Sequence, residues 1–147
     1  MSVQLAAPPE RIHASHLDLP LLKKRARAIL RLLDRAQSEL SIALVGDREI
    51  RELNRRHRDL DRATDVLSFS LVDGEWTGFR GALLGDVVIS VETAARQARN
   101  RHRSLDEETA RLLIHGVLHL LGHDHELPAE HRRMRAEERR LSAVLRP

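Results

Sequence analysis

His115, His119 and His125 fall four and then six residues apart in the segment HGVLHLLGHDH, residues 115–125. On a helix, positions i and i+4 lie one above the other on the same face, so His115 and His119 point the same way. Gly122 can take the left-handed conformation that ends a helix. The chain can then turn back and bring His125 to the same point. Three converging imidazoles leave the fourth tetrahedral position open, as in catalytic zinc sites. A water held there has its pKa lowered from about 15.7 toward about 7. Two histidines at this spacing in an otherwise apolar helix are hard to explain as core residues, because each buried ring needs hydrogen-bond partners. The chain contains no cysteine, so any metal must be held by His, Asp or Glu. In zinc proteases with the H-E-x-x-H motif, the Glu after the first His takes the proton from the attacking water. Here that position is Gly116, which has no side chain. The spacing therefore says metal hydrolase, while the substitution argues against peptidase chemistry. Phosphodiester cleavage makes other demands: its transition state is a crowded anion that a metal and an arginine can stabilise. His123 lies on the other side of the turn and reads as an exposed or substrate-facing residue. Asp124 either orients a ligand ring or is only the turn's polar residue.

Those residues must be carried by a domain, and 147 residues fit one. A chain of this size buries roughly 70% of its unfolded surface, so it needs neither disulfide nor metal merely to fold. The segment MSVQLAAPPER lacks a basic stretch followed by an apolar one, so no secretory signal is expected. The longest apolar run is far short of a bilayer span, and a cytoplasmic, membrane-free protein is expected. Formal net charge is +3 and the pI is near 10.4. The two agree because Lys23 and Lys24 are the only lysines among 25 basic residues. Arginine pairs bidentately with phosphate and is never neutral, which makes an acidic partner such as RNA plausible. The aromatics are only Phe69, Trp76 and Phe79, which argues against a surface that stacks several bases.

Hydrophobic periodicity places the elements. Residues 3–7 (VQLAA) form a short edge strand ended by Pro8 and Pro9. Residues 19–36 have apolar positions at 22, 26, 29, 30 and 33, the period of an amphipathic helix. SIALVG (41–46) is a strand, and DREIRELNRRH starts a short helix with Asp47 as N-cap. DVLSFS (65–70) is a strand, DGEWTGFRG (73–81) a loop, and LLGDVVIS (83–90) the strongest strand, with a bulge near Gly85 and Asp86. Residues 91–102 are helical. Ser104 and Glu107 form a capping box for a helix that runs to Gly122, apolar nearly all round from Leu112 to Leu121 and therefore central. A last helix, 128–144, opens at Pro128; Met134 in it is placed either as core or as the methionine turn of some zinc proteases. Interleaved strands and helices predict an α/β (α+β layered) domain, a small mixed sheet of about four strands packed with helices. Strand order does not follow from this pattern.

The histidine segment resembles the signature H-G-x-L-H-L-x-G-Y-D-H of the YbeY family of bacterial endoribonucleases, with His123 where Tyr is usual. Two further elements match: Arg58 followed by Thr64-Asp65-Val66-Leu67-Ser68-Phe69, and Leu84-Gly85-Asp86. Ala63 and Ser70 stand where the family often has proline. The resemblance covers roughly residues 40 to 126. It implies a metzincin-like site in which His115, His119 and His125 hold one Zn2+, and it assigns a substrate role to Arg58. It also implies cleavage of single-stranded RNA in maturation of the 3′ end of 16S ribosomal RNA and in ribosome quality control. The partners implied are ribosomal RNA, the small ribosomal subunit and its assembly proteins. The proton acceptor stays open among a zinc-held hydroxide, His123 and the RNA 2′-hydroxyl. Asp65 and Asp86 read as structural. Arg96, Arg99, Arg101 and Arg103, a run without acids, form either a solvated face or a contact to RNA backbone. Two rivals remain: a metalloprotease-like hydrolase with Asp124 as base, and a non-catalytic ribosome-assembly factor with a structural metal.

Overall fold

The computed structural model describes residues 2–12, 17–70, 83–123 and 127–145. The stretch 73–81 with Trp76 and Phe79, and the residues Asp124 and His125, lie outside the described residues. In chain order the elements are β1 (Ser2–Ala6), α1 (Leu19–Leu32), β2 (Glu39–Val45), α2 (Asp47–Arg58), β3 (Val66–Ser70), β4 (Leu83–Ser90), α3 (Val91–Asn100), α4 (Leu105–Leu120) and α5 (Pro128–Leu145). The four strands form one mixed sheet in the order β1-β2-β4-β3. β1, β2 and β4 run parallel, and β3 pairs antiparallel with β4 at the far edge. The expected mixed sheet, the edge position of β1 and the five helices are all present.

Alternation along the strands divides the core between the two faces. Leu40, Ile42 and Leu44 of β2 and Val87 and Ile89 of β4 face one way. They pack with Leu22, Ala26, Ile29 and Leu30 of α1, the inner face of α4, and Met134 and Leu141 of α5. Met134 is core, fully excluded from solvent. Leu67 of β3 and Val88 of β4 face the other way, against Ile50 of α2. The register shifts where β2 meets β4, with Glu39 opposite Leu83 and Leu40 opposite Gly85. The extra residue is the bulge expected near Gly85, whose φ is +148°.

α4 is the central helix. Ser104 caps it by accepting from Glu107 N (3.1 Å), and Glu107 accepts in return from Ser104 N (3.1 Å). From Thr109 to Leu120 every residue is buried except Arg111, His115 and His119, which are half-buried. Their spacing of four puts them on one stripe of the helix. The helix ends as expected, with Gly122 at φ +92°, a conformation that side chains with a Cβ disfavour. One expectation is corrected. Asp47 is not the N-cap of α2; Gly46 is, and Asp47 is the first helical residue. Its carboxylate is drawn elsewhere, accepting from Ser90 Oγ (2.7 Å), Thr93 Oγ1 (2.6 Å) and Arg96 (2.7 Å) at the β4–α3 junction.

Burial alone would raise the Asp47 carboxyl, but the hydrogen bonds from Thr93, Ser90 and Arg96 outweigh it and hold its pKa below the ordinary 3.8. A carboxyl with a depressed folded-state pKa stabilises above its unfolded value, and that stability is lost as pH falls through the folded one. Asp47→Ala is therefore expected to lower the unfolding free energy by about 1–3 kcal/mol at neutral pH. Urea unfolding at neutral pH and at about pH 3 should show the gap from wild type narrowing on acidification.

Candidate metal centre and active site

The half-buried stripe of α4 lies against β3, the edge strand of the sheet among the described residues. Two hydroxyls of β3 dock the helix there: Ser68 Oγ donates to Gly116 O (2.8 Å) and Ser70 Oγ to Leu120 O (3.4 Å). The close approach explains the residue at 116. A Cβ built on Gly116 would stand 2.7 Å from Val87 Cγ1 and 3.2 Å from Ser68 Oγ. Val87 is fully buried in β4 and, being β-branched, is stiff at χ1. Gly116 thus faces the sheet where the Val87 and Ser68 side chains come up against the helix. A side chain in this place would have to displace Val87 and Ser68.

His115 and His119 meet at their Nε2 atoms, 3.1 Å apart. Their ring centroids are 4.6 Å apart with planes inclined by 65°. Two nitrogens bound at about 2.05 Å to one tetrahedral ion stand about 3.3 Å apart. The observed separation is close to that, so this pair fits a shared zinc ion. On the far side of the His115 ring, Nδ1 lies 3.8 Å from Glu138 Oε1 of α5. The pair forms one wall of a cavity of about 300 Å³ lined also by Arg58, Val66, Leu67, Ser68, Ser70 and Leu120.

Arg58 reaches this cavity from the opposite face of the sheet. It is the last residue of α2, and Asp59 turns the chain with φ 58° and ψ 32°. Buried Asn54 fastens the following loop, its Nδ2 donating to Arg62 O (3.0 Å). Asp65 closes the loop against the next layer, accepting from Val66 N (2.8 Å) and Gln97 Nε2 (3.3 Å). From that position the Arg58 guanidinium donates to Ser68 O of β3 (2.8 Å) and lies 5.7 Å from the centroid of the Phe69 ring. No carboxylate is paired with Arg58 among the described residues, and it is exposed. The remaining donors of its fork are available to an anion.

Other residues singled out in the sequence go elsewhere. His123 does not line this cavity; it lies in a separate depression of about 250 Å³ with Leu121, Gly122, Glu130 and Arg133. The turn that ends α4 carries it away, its N–H bonded to Leu118 O (3.0 Å). Asp86 shares a strand face with Val88, pointing away from α4. The arginine run is largely paired. Arg96 meets Asp47, and Arg101, Arg103 and Arg111 surround Glu108 at 3.5, 3.8 and 2.6 Å. Glu108 is fully buried, so the acid that the local sequence lacks is supplied by the next helix.

A family profile described as Endoribonuclease YbeY matches residues 12–146. The chain belongs to this family. It is 55% identical over 121 residues to the Endoribonuclease YbeY of Anaeromyxobacter sp., covering 82% of this chain and 62% of that protein. To the YbeY of Geobacter metallireducens it is 45% identical over 128 residues, covering 86% and 85%. To that of Aquifex aeolicus it is 49% identical over 109 residues, covering 74% and 71%. The chain thus spans about three fifths of the length of the Anaeromyxobacter relatives, 62% and 61%. Its fold is similar to the solution structure of a Thermotoga maritima protein, with a TM-score of 0.68 at 27% identity, covering 99% of this chain and 89% of that one. The YbeY match includes β3, α4 and α5, the elements that build the cavity.

Gly116→Glu tests the reason for the missing base. It is expected to lower the unfolding free energy by about 3 kcal/mol or more, from overpacking and a buried carboxylate. Chemical denaturation measures this, and a near-neutral effect would show that the position has room for a side chain.

Proposed function

We propose that this YbeY-family protein is a zinc-dependent endoribonuclease that cuts single-stranded ribosomal RNA, in maturation of the 3′ end of the small-subunit RNA. Residues 1–147 act as one catalytic domain, in the cytoplasm, with the small ribosomal subunit and its assembly proteins as partners. Among the described residues no helix is long and apolar enough to cross a membrane. The observation that carries the reading is the meeting of three side chains at one cavity: His115 and His119 with Nε2 atoms 3.1 Å apart, and Arg58 lining the same space. The name of the relatives, Endoribonuclease YbeY, supports RNA as the substrate.

His115, His119 and, by its spacing after Gly122, His125 would hold the ion. Bound there, zinc supplies Lewis acidity toward a phosphate oxygen and toward water. Arg58 binds the scissile phosphate and offsets the charge that develops on it, a bidentate recognition suited to guanidinium. Its bond to Ser68 O and its contact with Phe69 fix the group before substrate arrives, so little ordering is left for the reaction itself. Gly116 keeps α4 pressed to the sheet, which leaves the cavity without a carboxylate from that position. A peptidase with its base from the residue after the first histidine is thereby disfavoured.

The test separates metal from substrate. His119→Ala is expected to lose zinc, read by metal analysis of the purified protein, and with it cleavage of a single-stranded RNA. Arg58→Ala and Arg58→Glu are expected to retain zinc while cleavage falls by about 10²–10³. Chelator should abolish cleavage by the wild type. Turnover of an unstructured peptide without turnover of RNA would overturn the reading, and normal cleavage by the Arg58 variants would remove the arginine from it.

A further inference from the structure

The inner face of α5 carries a residue out of keeping with its neighbours. Met134 and Leu141 are fully buried and lie seven residues apart, two turns along one face. Glu138 stands between them, four residues after Met134, on the same stripe. Its side chain is only 25% exposed. A carboxylate on a packing face has to be compensated by a hydrogen bond or a charge. The ion pairs of the neighbouring acid do not include it: Arg140 is bound to Glu137. What faces Glu138 is His115, whose Nδ1 is 3.8 Å from Oε1 and whose ring is likewise 25% exposed.

The two nitrogens of His115 therefore look in opposite directions. Nε2 faces His119 and the cavity; Nδ1 faces Glu138. A neutral imidazole carries one proton, and the nitrogen that keeps it cannot bind a metal. We infer that Glu138 is the positioning residue of the metal centre, holding the proton of His115 on Nδ1 so that Nε2 presents its lone pair to the ion. This rests on the reading of His115 as a zinc ligand. A ligating histidine commonly donates its other N–H to a carboxylate, which fixes tautomer and ring orientation and raises the basicity of the ligand. The separation exceeds a hydrogen bond by less than 1 Å, a distance that a small rotation of the glutamate side chain closes. His115 and Glu138 come from different helices, so the contact also makes the docking of α5 part of the metal centre.

The experiment measures zinc affinity by competition with a chromophoric chelator for wild type, Glu138→Ala, Glu138→Gln and Glu137→Gln, with His119→Ala beside them. Glu138→Ala is expected to bind zinc about 10–100-fold more weakly. Glu138→Gln, which keeps an acceptor but loses the charge, should lie between it and wild type. Glu137→Gln should match wild type. In the metal-free proteins, ring nitrogen chemical shifts should show His115 mainly as the Nδ1–H tautomer in wild type and as a mixture in Glu138→Ala, a change that loss of packing alone would not produce. Thermal melting of the metal-free variants identifies any that fail to fold, and the glutamine variant, nearly isosteric, then decides. Wild-type affinity in both Glu138 variants, with zinc bound one-to-one by wild type and lost in His119→Ala, overturns the role of Glu138 alone. Failure of wild type to bind zinc, or unchanged binding in His119→Ala, overturns the metal-site reading beneath it.

Discussion

The close approach of α4 to the sheet at Gly116 is the contact on which the rest of the arrangement depends. With no side chain at 116, the helix backbone comes near enough for Ser68 Oγ to bond its carbonyl at 2.8 Å and for Val87 to pack beneath it. That contact sets the rotation of the helix about its axis. Once Gly116 faces the sheet, His115 and His119 must lie on the stripe that borders the edge strand β3, because the angular spacing of helical residues leaves no other place. A helix packed one residue out of phase would bury the imidazoles among leucines, where their nitrogens would go without partners.

The other end of α4 is held by charge. Glu108, fully buried, gathers Arg111 from its own helix and Arg101 and Arg103 from the end of α3. A buried carboxylate is tolerable only when it is paired, so the α3–α4 corner is over-determined by the need to satisfy it. The arginines keep much of their surface in water, which lowers the worth of each pair taken singly. Their common effect is to fix where α4 begins, while the hydroxyls of Ser68 and Ser70 tie its C-terminal turns to β3. Arg58 then comes to the cavity because α2 terminates beside the same edge strand, on the far face of the sheet.

Much of this was legible beforehand. The elements appear close to the expected boundaries, since periodicity, the Ser104–Glu107 capping box and Gly122 are all local signals. The error at Asp47 is instructive. Acid before an apolar-periodic run reads as a cap, but Ser90, Thr93 and Arg96 compete for the same carboxylate, and they lie more than forty residues further on. The partners of the arginine run are likewise invisible locally: Arg96 meets Asp47 of α2, and Arg101 and Arg103 meet Glu108 of α4. Glu138 carries a weaker local signal: it is an acid four residues after Met134 and three before Leu141, the helical period of one face, and only the burial of those two neighbours shows that the face turns inward.

The order of helices and strands, the pairing of His115 with His119 on one helical face and the restriction of any metal to nitrogen and oxygen donors were determined by the sequence alone. Each is a property of residues within a few turns of one another or of composition, where local geometry has only one outcome. Strand order, the seat of Gly116 against Val87, the arrival of Arg58 at the histidine pair and the facing of Glu138 toward His115 were decided only by the tertiary structure. Those contacts join residues far apart along the chain, and many packings of the same elements would satisfy the local rules equally well. The one that forms is chosen by the simultaneous burial of both sheet faces, which no segment can encode by itself.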